Sequence, residues 1–419
     1  MKILLINKSL YPKGGDAIST ITTGNLLSSK GHKVTFWGMA HPLNPEYQYK
    51  DYFVSHIDYH NPGGVKNQLK MAINMLYSFE AKRNIEKLLE SEIPDVVHLN
   101  NFAHQISPSI LHVFKKYNIP VIMTMRDYKL ICPTYTMLLH GKPCERCKKG
   151  RFYQCLINKC SKKSFVKSFL NTMEMYLHHH IMHIYDLIDV YISPSRFLKS
   201  KCEEMGFNKK IEYLPNFVRV EEFDPKYSWD ENTIVYFGRL SEEKGLFTLI
   251  EAVKNIPDIT LKIIGEGPLR SSLELNVESK GLKNIKFLGY KSGKELHNEI
   301  RSAMFVVCPS EWYENNPRSI IEGFALGKPA IGARIGGIPE LVMDNKTGLT
   351  FESGNSEDLR SKIQCLLNSP NGVAEMGEKA RIHVTQELTA EKHYIKLLNI
   401  YQKTIEGNKQ RLLSQDSRK

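Results

Sequence analysis

TIVYFGRLSEEKGLFTLIEAVKNIPDITLKIIGEGP, residues 233–268, holds two β-rich runs, Thr233–Phe237 and, interrupted only by Lys262, Thr260–Ile264, on either side of a helical pattern at Leu246–Val253. Strands covered on both faces read as continuous Val/Ile/Leu runs, and a helix between two of them is the crossover of a parallel sheet. Each run stops at a glycine, Gly238 and Gly265, where the chain must turn.

The same alternation extends in both directions. Further strands are predicted at Lys2–Ile6, Lys33–Trp37, 95–99, 121–125, Val190–Ser193 and 212–214, and then at 285–288, Phe305–Cys308, 330–332 and Gly348–Phe351. Helices fit between them, for example at 67–90 and 318–326. The pattern breaks once, in the acidic, Pro-containing and aperiodic segment PNFVRVEEFDPKYSWD at 215–230, and then restarts. That break reads as a linker between two α/β domains, each long enough to bury its own core. The predicted division is 1–217, with a Cys- and Lys-rich insertion at about 132–167, then 225–388, then a last helix at 389–406. The tail after Gly407 is polar and is expected to fray.

With 419 residues, 42% apolar and 24% charged, the composition is that of a globular protein. No uncharged apolar run reaches the roughly 18–20 residues of a membrane helix, and the N-terminal MKILLINKSLYP reads as a strand, so a soluble cytoplasmic protein is expected. The net charge of +12 is uneven: residues 1–217 carry 29 Lys and Arg against 17 Asp and Glu, and the second half is balanced. Residues 142–167 hold nine basic groups and one acidic, Glu145. Such asymmetry points to an anionic partner or to a solvated basic loop.

Two constellations carry chemistry. In PSEWYENNPRSIIEGFALGKPAIGARIGGIPELV, residues 309–342, Glu314 lies in the loop after a buried strand and Glu322 one turn into the next helix. Loops at the carboxyl ends of parallel strands are where such folds bind ligands, and a carboxylate accepts two hydrogen bonds from a vicinal diol such as a sugar's. In YFGRLSEEKG, Arg239 and Lys244 flank a short loop that enters a helix; two cations and helix amides suit a diphosphate. Gly265 and Gly267 turn the chain at the next strand end, a weak signal alone.

GRLSEEKG, IIGEGP, the two glutamates eight positions apart, GKPAIGARIGGIPELV and TGLTF together resemble the C-terminal half of the retaining nucleotide-sugar glycosyltransferases of family four. The first half is similar more loosely, through Gly14-Gly15, GHKVTF, VVHLNN, PVIMTMRDY, ISPS and YLPN. The resemblance implies a GT-B fold, two Rossmann-like domains facing each other across a cleft. By that resemblance Arg239 and Lys244 contact the donor diphosphate, Glu322 the ribose and Glu314 the transferred hexose. Gly15 would let the first loop approach donor and acceptor, Gly238, Gly265 and Gly289 are counted in the donor site, and Asn315 and Asn316 are expected there in place of a contact that Pro317 cannot make. The implied donor is a UDP- or GDP-sugar, the acceptor a glycan or lipid-linked saccharide of the cell surface, and the last helix crosses back onto the first domain. No DxD motif is present, so no catalytic metal is expected; two fixed cations can stabilise the leaving phosphate.

Two departures stand out. Where many relatives carry a histidine after the strand VIMTM, this chain has Arg126 and Asp127, so Asp127 reads as an acceptor-orienting carboxylate or as a turn residue capping backbone amides. Asn316-Pro317 replaces a common Phe-Gly, and proline offers no amide. His98 reads as a satisfied core residue, His104 as better placed to see the cleft, and His178–His180 with His183 as partly solvated.

Cys144, Cys147, Cys155 and Cys160 form a candidate four-thiolate structural zinc clip, with free thiols as the other reading. The basic segment, with Phe152, Tyr153 and Phe165 interleaved, suits an anionic membrane surface. A nucleotide-sugar epimerase of the same architecture is the enzymatic alternative. A nucleic-acid-binding protein with a zinc module would leave residues 236–350 unexplained, so no nucleic-acid partner is expected.

Overall fold

Ile3, Leu4, Leu5 and Ile6 are all buried, as are Thr233 to Phe237, Phe305 to Cys308 and Gly348 to Phe351. Strands buried on both faces need a layer of helix on each side, and that is the architecture seen in a computed structural model describing residues 1–12, 14–57 and 64–416. One parallel sheet runs, edge to edge, Lys33–Trp37, Lys2–Ile6, Val96–Leu99, Val121–Thr124, Val190–Ser193 and Ile211–Tyr213. The other runs Ile285–Gly289, Thr260–Ile264, Thr233–Phe237, Phe305–Cys308, Ala330–Ala333 and Gly348–Phe351, also parallel throughout. In each sheet the connection reverses direction beside the first strand. The crevices of the two domains therefore open after Ile6 and Leu99 in one, and after Phe237 and Cys308 in the other.

The expected strands are present with ends shifted by at most a residue or so. Two helices differ. The pattern at 67–90 is interrupted: Val65–Leu76 ends, and Phe79–Ser91 begins at Ser78, whose hydroxyl accepts the Ala81 amide at 3.1 Å. Capping at Ser78 satisfies an orphan amide that a continuous helix would not offer it. The last helix runs Ala390–Asp416, well past Gly407. Asn408 is buried and donates to the Asn118 carbonyl at 2.7 Å, and Arg411 pairs with Asp189 at 3.0 Å, so the tail is anchored through these residues rather than frayed, while its last three residues, 417–419, lie outside the described residues.

That helix does cross back. Leu397, Ile400 and Tyr401 pack on the face of the first sheet formed by Ile3, Leu5, Val96, Ile122 and Val190. His98 is satisfied there on both sides, by the Tyr401 hydroxyl and the Thr124 hydroxyl at 2.7 Å each. His178, by contrast, is fully buried and bonds the Leu76 carbonyl at 2.7 Å, so the solvated reading fails for it: the helix carrying it is covered by the Val65–Leu76 helix.

Burial drives His98 and His393 down to about 3, so both are neutral in the folded protein. An unfolded histidine titrates near 6.5 and binds a proton that the folded one refuses. Their contribution to stability is complete above about pH 6.5 and is lost as pH falls toward 3, by up to about 1.4 kcal/mol per pH unit for each group. Thermal midpoints should therefore decline already between pH 6.5 and 5, before most carboxylates titrate; a flat profile over that range would contradict the burial of these rings.

Candidate active site between the two domains

Three neighbouring strands of the second sheet end in a row of glycines. Gly238, Gly265 and Gly289 have φ of 154°, 137° and 71°, values that side chains rarely tolerate. A Cβ on Gly265 would stand 1.9 Å from the Gly238 carbonyl oxygen. The backbones are tied by Gly238 N–H to Ile264 O at 3.0 Å and Gly265 N–H to Gly289 O at 2.8 Å. The result is a side-chain-free rim along one edge of the crevice.

Across the reversal point, the loop after Phe237 meets the loop after Cys308. Lys244 Nζ reaches Glu314 Oε1 at 2.5 Å, and Ser310 donates its hydroxyl to the same oxygen at 2.7 Å. The ammonium also lies 5.2 Å from the Trp312 ring centroid. Burial pulls the Lys244 ammonium down, but Glu314 outweighs it and the net shift is upward. Burial pushes the Glu314 carboxyl up, yet Lys244 brings it below its ordinary value. Both groups are charged at neutral pH.

The turn Gly336-Gly337 holds Glu314 from behind. The Gly337 amide donates to Glu314 O at 2.7 Å, and a Cβ on Gly336 would fall 2.3 Å from that oxygen. Glu322 sits one turn into the helix Arg318–Ala325 and accepts two bonds from Arg318, at 2.9 and 3.2 Å. Arg318 in turn faces the other domain: a Cβ on Gly15, first residue of the helix Gly15–Ser29, would be 3.8 Å from its Cδ. Gly15, Arg318 and Glu322 thus face one another across the interdomain gap.

Arg239 is exposed, and its side chain has no hydrogen bond or ion pair among the described residues; its carbonyl accepts the Tyr236 hydroxyl at 2.8 Å. A guanidinium with nothing to neutralise it is available to an anion. Replacing it with alanine should weaken binding of a nucleoside diphosphate at least tenfold while leaving the thermal midpoint in place, because surface side chains without partners contribute little to stability. Unchanged affinity in calorimetry would remove Arg239 from the site.

Asn315 and Asn316 are spent differently from expectation. Asn315 accepts the Ser195 hydroxyl at 2.7 Å and donates to Met125 O at 3.1 Å. Asn316 takes the Asn216 amide at 2.9 Å, and its own carbonyl accepts from the Asn216 side chain at 2.9 Å. Both side chains moor the second domain to the first, where they were expected to meet the donor. Asn216 also accepts from Arg126 at 2.9 Å, and Arg126 makes two further bonds to Asn100. Burial lowers the Arg126 guanidinium to about 10, still charged at neutrality. Asp127 Oδ1 accepts the Lys129 amide at 2.9 Å, the turn role, and burial pushes its carboxyl up; Oδ2 makes no described hydrogen bond. Sequence reasoning missed Ser310, Arg318 and Asn216; Asn216 carries no local signal because its partners Arg126 and Asn316 come from distant parts of the chain, whereas Arg318 and Glu322 are spaced i,i+4 on one helix, a signal that could have found the pair.

His104 lies 3.3 Å from Glu174, which is fully buried, shared with Lys129 at 2.6 Å, and held near 2: burial alone would raise it, and Lys129 outweighs that. The four clip cysteines, with Cys132, line one small cavity and are free thiols. Among the described residues no group of three or more His, Cys, Asp or Glu side chains is arranged to hold a metal ion.

Comparison with known proteins gives the same frame. Residues 13–222 match the model described as Glycosyltransferase Family 4, and residues 219–383 match Glycosyl transferases group 1. An uncharacterized glycosyltransferase of Methanocaldococcus jannaschii is 34% identical over 193 residues, 46% of this chain and only about half, 54%, of that protein. An uncharacterized 42.6 kDa protein in the cps region of Klebsiella pneumoniae is 26% identical over 81% of this chain and 87% of its own length. Sucrose-phosphate synthase from Thermosynechococcus elongatus has the same fold, with a TM-score of 0.72 at 18% identity, covering 97% of this chain and 99% of that one. Anabaena HepE, solved with UDP and glucose, has a TM-score of 0.69 at 15% identity, covering 96% of this chain and 100% of that one. Two parallel sheets opposed across a crevice, and a family model spanning half of the residues, place this chain in glycosyltransferase family 4.

Proposed function

We propose that the protein transfers a hexose from a UDP- or GDP-sugar to a glycan or lipid-linked acceptor, with retention of configuration, in the synthesis of a cell-surface polysaccharide or glycolipid. The observation that carries this reading is the Lys244–Glu314 pair standing beside the glycine rim, with Arg239, which has no ion pair among the described residues, at the same strand ends. An ammonium and a guanidinium there can stabilise charge on a departing diphosphate without a divalent ion. Glu314 and Glu322 are the carboxylates available to sugar hydroxyls, Asp127 to an acceptor. A lipopolysaccharide core glycosyltransferase of Rhizobium meliloti and a phosphatidylinositol monomannoside mannosyltransferase of Mycolicibacterium smegmatis are among the chain's relatives, 30% and 26% identical over less than half of it. Their names motivate the acceptor class.

No helix of the described residues is long and apolar enough to cross a membrane. We place the enzyme on an anionic membrane face through the helix Phe165–Tyr176, which exposes Phe165, Val166, Phe169 and Met173 beside Lys162, Lys163 and Lys167. Apolar side chains between lysines suit an acidic bilayer interface.

Thermal-shift screening against UDP, GDP, ADP and their sugars identifies the donor. Transfer to a saccharide acceptor, insensitive to EDTA and with the anomeric configuration read by NMR, is the expected outcome. Consumption of the nucleotide sugar at full rate without acceptor would replace the transferase reading with the epimerase one.

A further inference from the structure

The Cys-rich insertion has no part in the site as described, yet it touches the second domain at two places. Its hairpin, Leu138–Leu139 against Lys142–Pro143, brings Gly141 to the loop after Phe237, where a Cβ would stand 3.9 Å from Glu242 Oε1. Just beyond, between Cys144 and Cys147, Glu145 Oε1 accepts a hydrogen bond from the Tyr313 hydroxyl at 2.8 Å. The same oxygen accepts from Lys201 Nζ at 2.8 Å.

Tyr313 belongs to the second domain and sits in a box made by the first. Its ring packs 5.0 Å from Phe197 and 6.2 Å from Tyr128, and the Lys201 ammonium lies 5.6 Å from its centroid. Partial burial of the phenol and the neighbouring Glu145 push its hydroxyl to about 12, so it remains a donor at neutral pH. Partial burial would raise the Glu145 carboxyl, but the bonds from Lys201 and Tyr313 bring it below its ordinary value, and it remains an acceptor.

Tyr313 immediately precedes Glu314, and Asn315 immediately follows it. Both neighbours are fastened to the first domain, Tyr313 to Glu145 and Asn315 to Ser195 and Met125. We propose that Glu145 is a positioning residue for the donor site: by holding the Tyr313 hydroxyl it sets the loop that carries Glu314, and it makes the Cys-rich insertion a clasp across the crevice. Domain closure and placement of Glu314 are then one event. The kinetic consequence rests on the glycosyl-transfer reading; the clasp itself does not. A group held about an ångström out of place costs an enzyme far more in turnover than in substrate binding.

The test uses the full chain with Glu145→Ala, Glu145→Gln, Tyr313→Phe and the Glu145→Ala/Tyr313→Phe double variant. Expected are a drop in kcat of about tenfold for Glu145→Ala and for Tyr313→Phe, with donor KM within about twofold of wild type. Glu145→Gln, which keeps an acceptor, should recover most of the rate. Because the two residues act through one bond, the double variant should be no slower than the slower single. Multiplying losses, or full activity in Tyr313→Phe at an unchanged thermal midpoint, would overturn the proposal. Small-angle scattering of the nucleotide-free proteins gives an answer that does not depend on the reaction. A larger radius of gyration in Glu145→Ala supports the clasp even if no sugar donor is turned over, and identical scattering curves count against it.

Discussion

Lys244→Ala should lower kcat by about a hundredfold to a thousandfold, the usual effect of deleting one fixed donor to a developing anion. The expectation has two parts, because Lys244 does two jobs. Toward the ligand it is a cation at the strand ends, next to a helix start at Leu246. Toward the protein it is the partner of Glu314, whose side chain is only 9% exposed. Without the ammonium, burial at Glu314 is opposed only by its remaining hydrogen bonds, Ser310's among them, and its carboxyl shifts upward, so a charge that should meet sugar hydroxyls is weakened. Stability should fall by about 2 kcal/mol as well, since the pair is shielded from water more than a surface ion pair is. The parts separate in the Lys244→Ala/Glu314→Gln variant, which should regain stability and remain slow. Near-normal turnover in Lys244→Ala would end the assignment of this cation to the reaction.

The second large effect is expected at Gly337→Ala. A methyl there would sit 1.8 Å from the Asn315 carbonyl oxygen and 3.0 Å from Ser195 Cβ, so backbone must move. Overpacking of this kind costs about 1–3 kcal/mol. The displaced segment is the one that carries Glu314 on one side and the Ser195–Asn315 bond on the other. A shift of the order of an ångström at a reacting group costs about a hundredfold in rate. We expect both a lower denaturant midpoint and a kcat reduced by that order; a stable variant with unimpaired kcat would show that the loop tolerates displacement and that Glu314 is less constrained than its contacts imply.

Most of the fold was legible because its central strands are buried on both faces. Runs such as TIVYF and FVVC admit few alternatives between helical patterns. The break at Tyr77-Ser78 was not legible: the apolar periodicity continues through it, and only the cap on Ala81 reveals the end of one helix and the start of another. The extension of the last helix to Asp416 likewise depends on Asn408 and Arg411 finding partners nearly three and more than two hundred residues earlier. In the site, Lys244 and Glu314 stand out separately in the sequence, and the structure joins them. Asn315 and Asn316 read as donor contacts because Pro317 lacks an amide for that role; their side chains join the domains, a role that nothing local encodes. Glu145 is the lone acid in a basic run, and its sequence context carries no hint of Tyr313.

The returning helix at Ala390–Asp416 has a consequence for how the polypeptide is made. One face of the first sheet, covered in part by Leu27, is completed by Leu397, Ile400 and Tyr401, which are synthesised only after the whole second domain. At roughly 5–20 residues per second, the finished strands of the amino-terminal half wait of the order of ten seconds or more with part of that apolar surface uncovered. The nascent chain is therefore most exposed to aggregation, and most in need of a chaperone, through the whole interval in which its carboxyl-terminal half is being translated.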